Sequence, residues 1–84
     1  MLKEAIWSIS IQRARDFFLR QEDMDQTGIN EFAYNSCKIT LTELQPNGVG
    51  MWAVKRIRIH MEGEDSDVET AYHRFFIQFL SAGG

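Results

Sequence analysis

Residues Phe32 to Glu62 carry two alternating runs of apolar and polar side chains, separated by the turn-forming stretch Pro46-Asn47-Gly48-Val49-Gly50. A period of two is the pattern of a strand with one buried face, so this segment reads as one long β-hairpin. One face is apolar, with Cys37, Ile39 and Leu41 beside Ile57, Ile59 and Met61. The other carries Lys38, Thr40 and Thr42 beside Arg56, Arg58 and His60. Few folds accept such a segment: the apolar face needs a covering layer, and the sheet needs an amphipathic helix to supply it.

The turn can be placed from the same pattern. Asn47-Gly48 is a strong two-residue turn signal, but a turn there pairs Ile39 with Arg56 and mixes the faces. Paired residues of antiparallel strands point the same way. A loop with an odd number of residues, centred on Val49, restores consistency. It pairs Leu41 with Ile57, Ile39 with Ile59 and Cys37 with Met61. It also sets Glu43 opposite Lys55, Leu44 opposite Val54 and Thr42 opposite Arg56.

The covering helix is found at the end of the chain. Val68, Ala71, Tyr72, Phe75, Phe76, Phe79 and Leu80 form a stripe of helical period. Ser66-Asp67-Val68-Glu69 has the form of a capping box, and Asp65, Asp67 and Glu69 suit the positive end of the helix dipole. Gly83 is suited to the left-handed cap conformation. Ahead of the hairpin, Ala5 to Gln12 alternates as a strand with Trp7, Ile9 and Ile11 on one side. A single helix with a Trp7, Ile11, Ala14 and Phe18 stripe is the rival reading. Arg13 to Glu22 reads as helix, and Gln21 to Glu31 as a polar connection with Gly28 at a positive φ. The expected architecture is therefore α+β, in the order β-(α)-β-β-α: a small antiparallel sheet, made of the hairpin and an N-terminal strand, packed on a C-terminal helix. Residues 1–84 are expected to form one small domain, without repeats or a linker.

Composition removes several functional classes. With 84 residues, 44% of them hydrophobic and 25% charged, the chain has the makeup of a small globular protein rather than a disordered one. One cysteine allows no internal disulfide, which suits a reducing, cytoplasmic setting. The segment Met1-Leu2-Lys3-Glu4-Ala5-Ile6-Trp7 lacks a signal-peptide hydrophobic run. No apolar run approaches the ~20 residues that span a bilayer, so no membrane partner is expected. A net charge of −3 weighs against a dedicated duplex-DNA binder, which needs clustered cations.

Motifs that carry chemistry are sparse. Asp23-Met24-Asp25-Gln26-Thr27-Gly28 resembles the first half of an EF-hand calcium loop, with oxygen ligands at positions 1, 3 and 5 and glycine at 6. Position 12, where a bidentate glutamate belongs, is Tyr34, so a polar turn is the better reading. Cys37 falls on the apolar face, where burial suppresses the thiolate, and His60 lies on the opposite face. His73 follows Glu69 by one helical turn, as in an exposed ion pair. Cys37, His60 and His73 lack metal-ligand spacing. The acidic run Glu62, Glu64, Asp65, Asp67 and Glu69 is explained by the start of the helix. The expectation is thus no enzyme, no catalytic residues, no metal, no cofactor and no small-molecule substrate. Ser81-Ala82-Gly83-Gly84 resembles the Gly-Gly tail of ubiquitin-like and sulfur-carrier proteins, which implies a conjugation or sulfur-transfer role through that tail. In those families the tail follows a strand, whereas here it follows a helical stripe.

What remains is the basic, threonine-rich face of the hairpin. Lys38, Arg56, Arg58 and His60 project together, with Trp52 as an apolar anchor and Phe32 and Tyr34 at the margins. The expected function is a non-catalytic protein-interaction or regulatory module, of adaptor or inhibitor type, that binds a protein partner or a second copy through this face. Single-stranded nucleic acid is the alternative ligand, held by stacking and phosphate contacts. The bland reading is a solvated sheet face whose threonines serve strand propensity.

Overall fold

In a computed structural model that describes residues 1–50 and 53–82, the chain forms five strands and two helices. They follow in the order β1 (Leu2–Trp7), α1 (Ile11–Leu19), β2 (Asp25–Gly28), β3 (Glu31–Tyr34), β4 (Cys37–Asn47), β5 (Val54–Glu62) and α2 (Asp65–Ala82). All strand pairs are antiparallel, in the spatial order β1-β5-β4-β3-β2. The hairpin lies at the centre, β1 covers one of its edges, and β3 covers the other. Both helices pack on one side of the sheet.

The core forms where the alternation said it would. Cys37, Ile39, Leu41, Ile57, Ile59 and Met61 are all buried, under Val68, Ala71, Phe75 and Phe79 of α2. From α1, Ala14, Phe17 and Phe18 fill the rest. Phe75 is the meeting point: its ring stacks on Phe18 (5.6 Å between centroids, 8° between planes) and takes the edge of Trp7 (5.2 Å). It also meets Phe17 at 5.8 Å and Phe79 at 4.6 Å. Phe75 therefore joins α2 to α1 and, through Trp7, to β1.

The hairpin pairs two residues away from the register expected from its pattern. Leu41 faces Ile59, Ile39 faces Met61, Glu43 faces Ile57, Thr42 faces Arg58 and Leu44 faces Arg56. A shift of two preserves which side every residue faces, so the buried set is unchanged. Pro46 accounts for part of the difference. It lies within β4, has no N–H to give, and sits in a bulge where Gln45 and Pro46 stand opposite Lys55. The second cause is at the other end. Gly63, rather than Met61, lies against Cys37: a Cβ on Gly63 would come within 2.5 Å of the Ser36 carbonyl oxygen and 2.8 Å of the Cys37 Cα.

Other expectations are corrected in the same way. The N-terminal strand stops at Trp7, because the Ser10 hydroxyl accepts the Arg13 N–H (3.2 Å) and caps α1. Residues 25–28 form a strand inside the supposed polar connection, and Gly28 has no positive φ. Phe32 and Tyr34 belong to a separate strand on the buried side: Phe32 is 1% exposed, and Tyr34 packs against the core under Arg74. The β3–β4 turn places Asn35 at φ 51, a conformation asparagine tolerates.

The start of α2 is held from outside the helix instead of by a Ser66 capping box. The helix begins at Asp65, so Ser66 lies within its first turn. The Ser36 hydroxyl accepts the Glu64 N–H (2.9 Å) and donates to the Asp67 carboxylate (2.7 Å). That carboxylate also accepts the Ser36 N–H (3.1 Å) and an Asn35 amide N–H (3.3 Å). These bonds hold the Asp67 carboxyl below its ordinary value of 3.8, the Ser36 hydroxyl being the largest cause. Gly83 lies outside the described residues.

Phe75→Ala is expected to cost ~3–5 kcal/mol in urea denaturation, a large share of a small domain's stability. Gly63→Ala should cost ~1–3 kcal/mol, because the methyl meets backbone that has little freedom to move. Gly28→Ala is the control. Its Cβ would meet only the Glu31 side chain, at 3.3–3.4 Å. Asp67 supplies a pH test. A carboxylate with a lowered folded-state pKa contributes stability above the unfolded value of 3.8, and that contribution is lost as pH falls through the lowered value. Asp67→Asn should therefore lower the melting temperature at pH 7, and the gap to wild type should close below pH 3.8.

Candidate functional site

The outer face of the sheet is built by the same alternation that builds the core. Strand pairing lines its residues up in rows. Leu2, Glu62, Lys38, Ala33 and Asp25 form one row. Glu4, His60, Thr40 and Glu31 form the next, followed by Ile6, Arg58 and Thr42, then Arg56 and Leu44. Both helices lie on the other side, so no described element covers these side chains.

Three of the basic residues singled out from the sequence have identifiable partners. Arg58 Nε lies 3.9 Å from Glu4, and His60 Nδ1 lies 3.6 Å from the same carboxylate. His60 Nε2 is 3.9 Å from Glu62. Such long, solvent-exposed pairs contribute little to stability, so another chain can exchange them at small cost. Arg56 is held more firmly, donating from Nε (3.3 Å) and Nη2 (3.2 Å) to the Gln45 carbonyl beside the bulge. Lys38 is exposed and makes no ion pair among the described residues. Trp52, the expected anchor, lies outside the described residues.

The face is consequently mixed in charge, with Lys38, Arg56 and Arg58 interleaved with Glu4, Glu31, Glu62 and Asp25. The sequence pattern missed Leu2 and Glu4 because the first strand was expected to begin at Ala5, and Ile6 fell within that strand without being assigned to the outer face. Leu2-Lys3-Glu4-Ala5-Ile6-Trp7 does not alternate in polarity, and the pairing with β5 is what places Lys3, Ala5 and Trp7 on the core side.

The remaining candidate groups are dispersed or already bonded. The Cys37 thiol is buried on the core side, away from His60, and its pKa is raised by burial and by the negative charge of Asp67. Asp23 accepts a 2.8 Å bond from Arg74, which lowers its pKa, and Asp25–Gly28 is strand, so these residues do not wrap a calcium loop. Among the described residues no group of three His, Cys, Asp or Glu side chains is arranged to hold a metal ion. No described helix is long and apolar enough to cross a membrane. Gly83 and Gly84 lie outside the described residues.

A double-mutant cycle with Glu4→Gln and Arg58→Gln should give a coupling energy under ~1 kcal/mol, falling further in high salt, as for exposed pairs in general. A larger, salt-insensitive coupling would mean that the pair is structural rather than exchangeable. No protein-family model matches this chain, and no curated protein or solved structure matches it significantly.

Proposed function

We propose that this protein is a non-catalytic interaction module, of adaptor or inhibitor type, that binds a protein partner through the outer face of β4 and β5. The observation that carries the reading is a sheet face free of both helices, on which exposed cations, carboxylates and aliphatic side chains alternate in rows. Arg58 and His60 exchange their weak pairs with Glu4 and Glu62 for carboxylates of the partner, which charge-assisted hydrogen bonds favour. Lys38 adds a cation that makes no ion pair among the described residues, and Arg56 keeps a fixed orientation from the Gln45 carbonyl. Leu2 and Ile6 supply apolar area next to those charges, an interface composition of the usual kind. A cytoplasmic setting agrees with a lone, buried cysteine thiol.

The mixed charge favours protein over nucleic acid. Single-strand binders combine a continuous basic groove with aromatic rings for stacking. Here carboxylates interrupt the cations, and Phe32 and Tyr34 face the core side. A carrier role for the terminal Gly-Gly would need a tail behind a strand, and α2 occupies that position.

The test compares wild type with Arg56→Glu/Arg58→Glu, checked for unchanged secondary structure, as bait in pull-downs from source cells. A partner recovered by wild type and lost with the variant is expected; equal recovery would refute the surface. Fluorescence anisotropy against short DNA and RNA single strands, at two salt concentrations, should show no salt-dependent binding.

A further inference from the structure

The free edge of β1 is the margin of this sheet left ready for another strand. Gly63 and Met1 exchange backbone bonds of 3.1 and 2.7 Å. Antiparallel ladders alternate bonded and non-bonded pairs, so Lys3, Ala5 and Trp7 bond to β5. The N–H and C=O groups of Leu2, Glu4 and Ile6 therefore point away from the sheet. The other margins carry devices that discourage pairing. The edge strand β2 has four residues and a register break at Gln26/Gly28. The part of β4 that runs beyond β3 contains the bulge and Pro46. β1 has six regular residues with neither. Its two charges are folded back onto the protein, Lys3 over the Tyr72 ring at 4.5 Å and Glu4 toward Arg58 and His60.

A second observation lies beside that edge. On the core side a cleft of about 250 Å³ is lined by Lys3, Val68, Tyr72 and Phe76, with Glu69 and His73. Phe76 remains 36% exposed there, although Trp7 meets its ring at 5.8 Å. On the outer side of the same edge, Leu2 and Ile6 are 58% and 55% exposed. Unpaired backbone between an apolar cleft and exposed aliphatic side chains is the requirement for binding by strand addition. In that mode the main chain supplies affinity and alternate side chains supply specificity.

We propose that β1 accepts an extended peptide of another protein as a sixth, antiparallel strand, with a basic residue opposite Glu4 and, immediately after it, an aliphatic residue that enters the cleft. The geometry sets this order. A residue opposite Glu4 exchanges both backbone bonds with it and points to the outer face, toward the carboxylate. The next residue lies opposite Lys3 and points to the core side, into the cleft; the one after lies beside Leu2. Charge argues against a second copy as the occupant. The symmetric pairing that uses Leu2, Glu4 and Ile6 sets Glu4 against its own counterpart, and like charges directly opposite destabilise a sheet. This edge shares Leu2, Glu4 and Ile6 with the outer face but uses its own backbone groups and neither Lys38 nor Arg56, so the peptide titration and the Arg56→Glu/Arg58→Glu pull-down can fail separately.

The probe is the blocked, fluorescein-labelled heptapeptide Ser-Val-Thr-Lys-Leu-Val-Ser, titrated with the full chain by fluorescence anisotropy. Saturable binding is expected, weakened at least ~10-fold by lysine-to-glutamate or leucine-to-aspartate changes in the peptide. N-methylation of the lysine, whose N–H would bond to Glu4, should weaken binding equally. N-methylation of the leucine, whose N–H would point away from β1, should have little effect. No binding at ~1 mM peptide, or equal loss from both N-methylations, overturns the proposal. So does sedimentation of the free chain as a dimer that the peptide dissociates, because the occupant is then a second copy.

Discussion

The pairing of β4 with β5 is the constraint on which the rest of the molecule depends. It brings Ile39, Leu41, Ile57, Ile59 and Met61 onto one continuous surface, and among the described residues no other pair of elements buries as many aliphatic side chains. The two helices, β1 and β3 are each attached to this ribbon. A two-stranded ribbon is only marginally stable in water, so the hairpin in turn requires what it recruits. Phe75 closes the arrangement by touching rings from α1, α2 and β1.

A second, polar joint complements that core. Ser36, Asp67 and the Glu64 N–H form one network at the corner where β3 turns into β4 and β5 runs into α2. Gly63 lets the two backbones approach there. The corner fixes the hairpin register from the end away from the β4–β5 connection, while the Pro46 bulge absorbs the remaining mismatch beside that connection. With both helices committed to one side, the other side is left to solvent or to partners. The exposed sheet face is a direct consequence of that packing.

How much of this was legible in the sequence depends on the range of the interaction. The core-facing side was readable for Cys37, Ile39, Leu41, Ile57, Ile59 and Met61 of the hairpin and for Val68, Ala71, Phe75 and Phe79 of α2, because side-chain direction follows directly from period two or 3.6. Phe76 and Leu80 of the same helical stripe stay exposed, and Phe32 and Tyr34 turn to the core side. The register was not readable, since a slip of two leaves every residue on its own side. Local pattern is blind to that difference. The Ser66 capping box was a plausible local signal overridden by Ser36, some 30 residues earlier in the chain, which reaches Glu64 and Asp67. For the candidate site, Lys38, Arg56, Arg58 and His60 were recognisable as one face. Their carboxylate neighbours were not, because Glu4 arrives from a strand more than 50 residues away.

The sequence by itself therefore determined the composition of each surface: an aliphatic and aromatic core, a threonine-rich basic ribbon and a C-terminal amphipathic helix. These are properties of single elements, set by covalent geometry and the alternation of side chains. Only the tertiary structure decided what each surface meets. It set Glu4 between Arg58 and His60, turned Phe32 and Tyr34 away from the outer face, and left β1 with an edge that no described strand pairs, beside Tyr72 and Phe76. Those outcomes depend on strand order and register, which follow from contacts between distant residues, and no local periodicity encodes them.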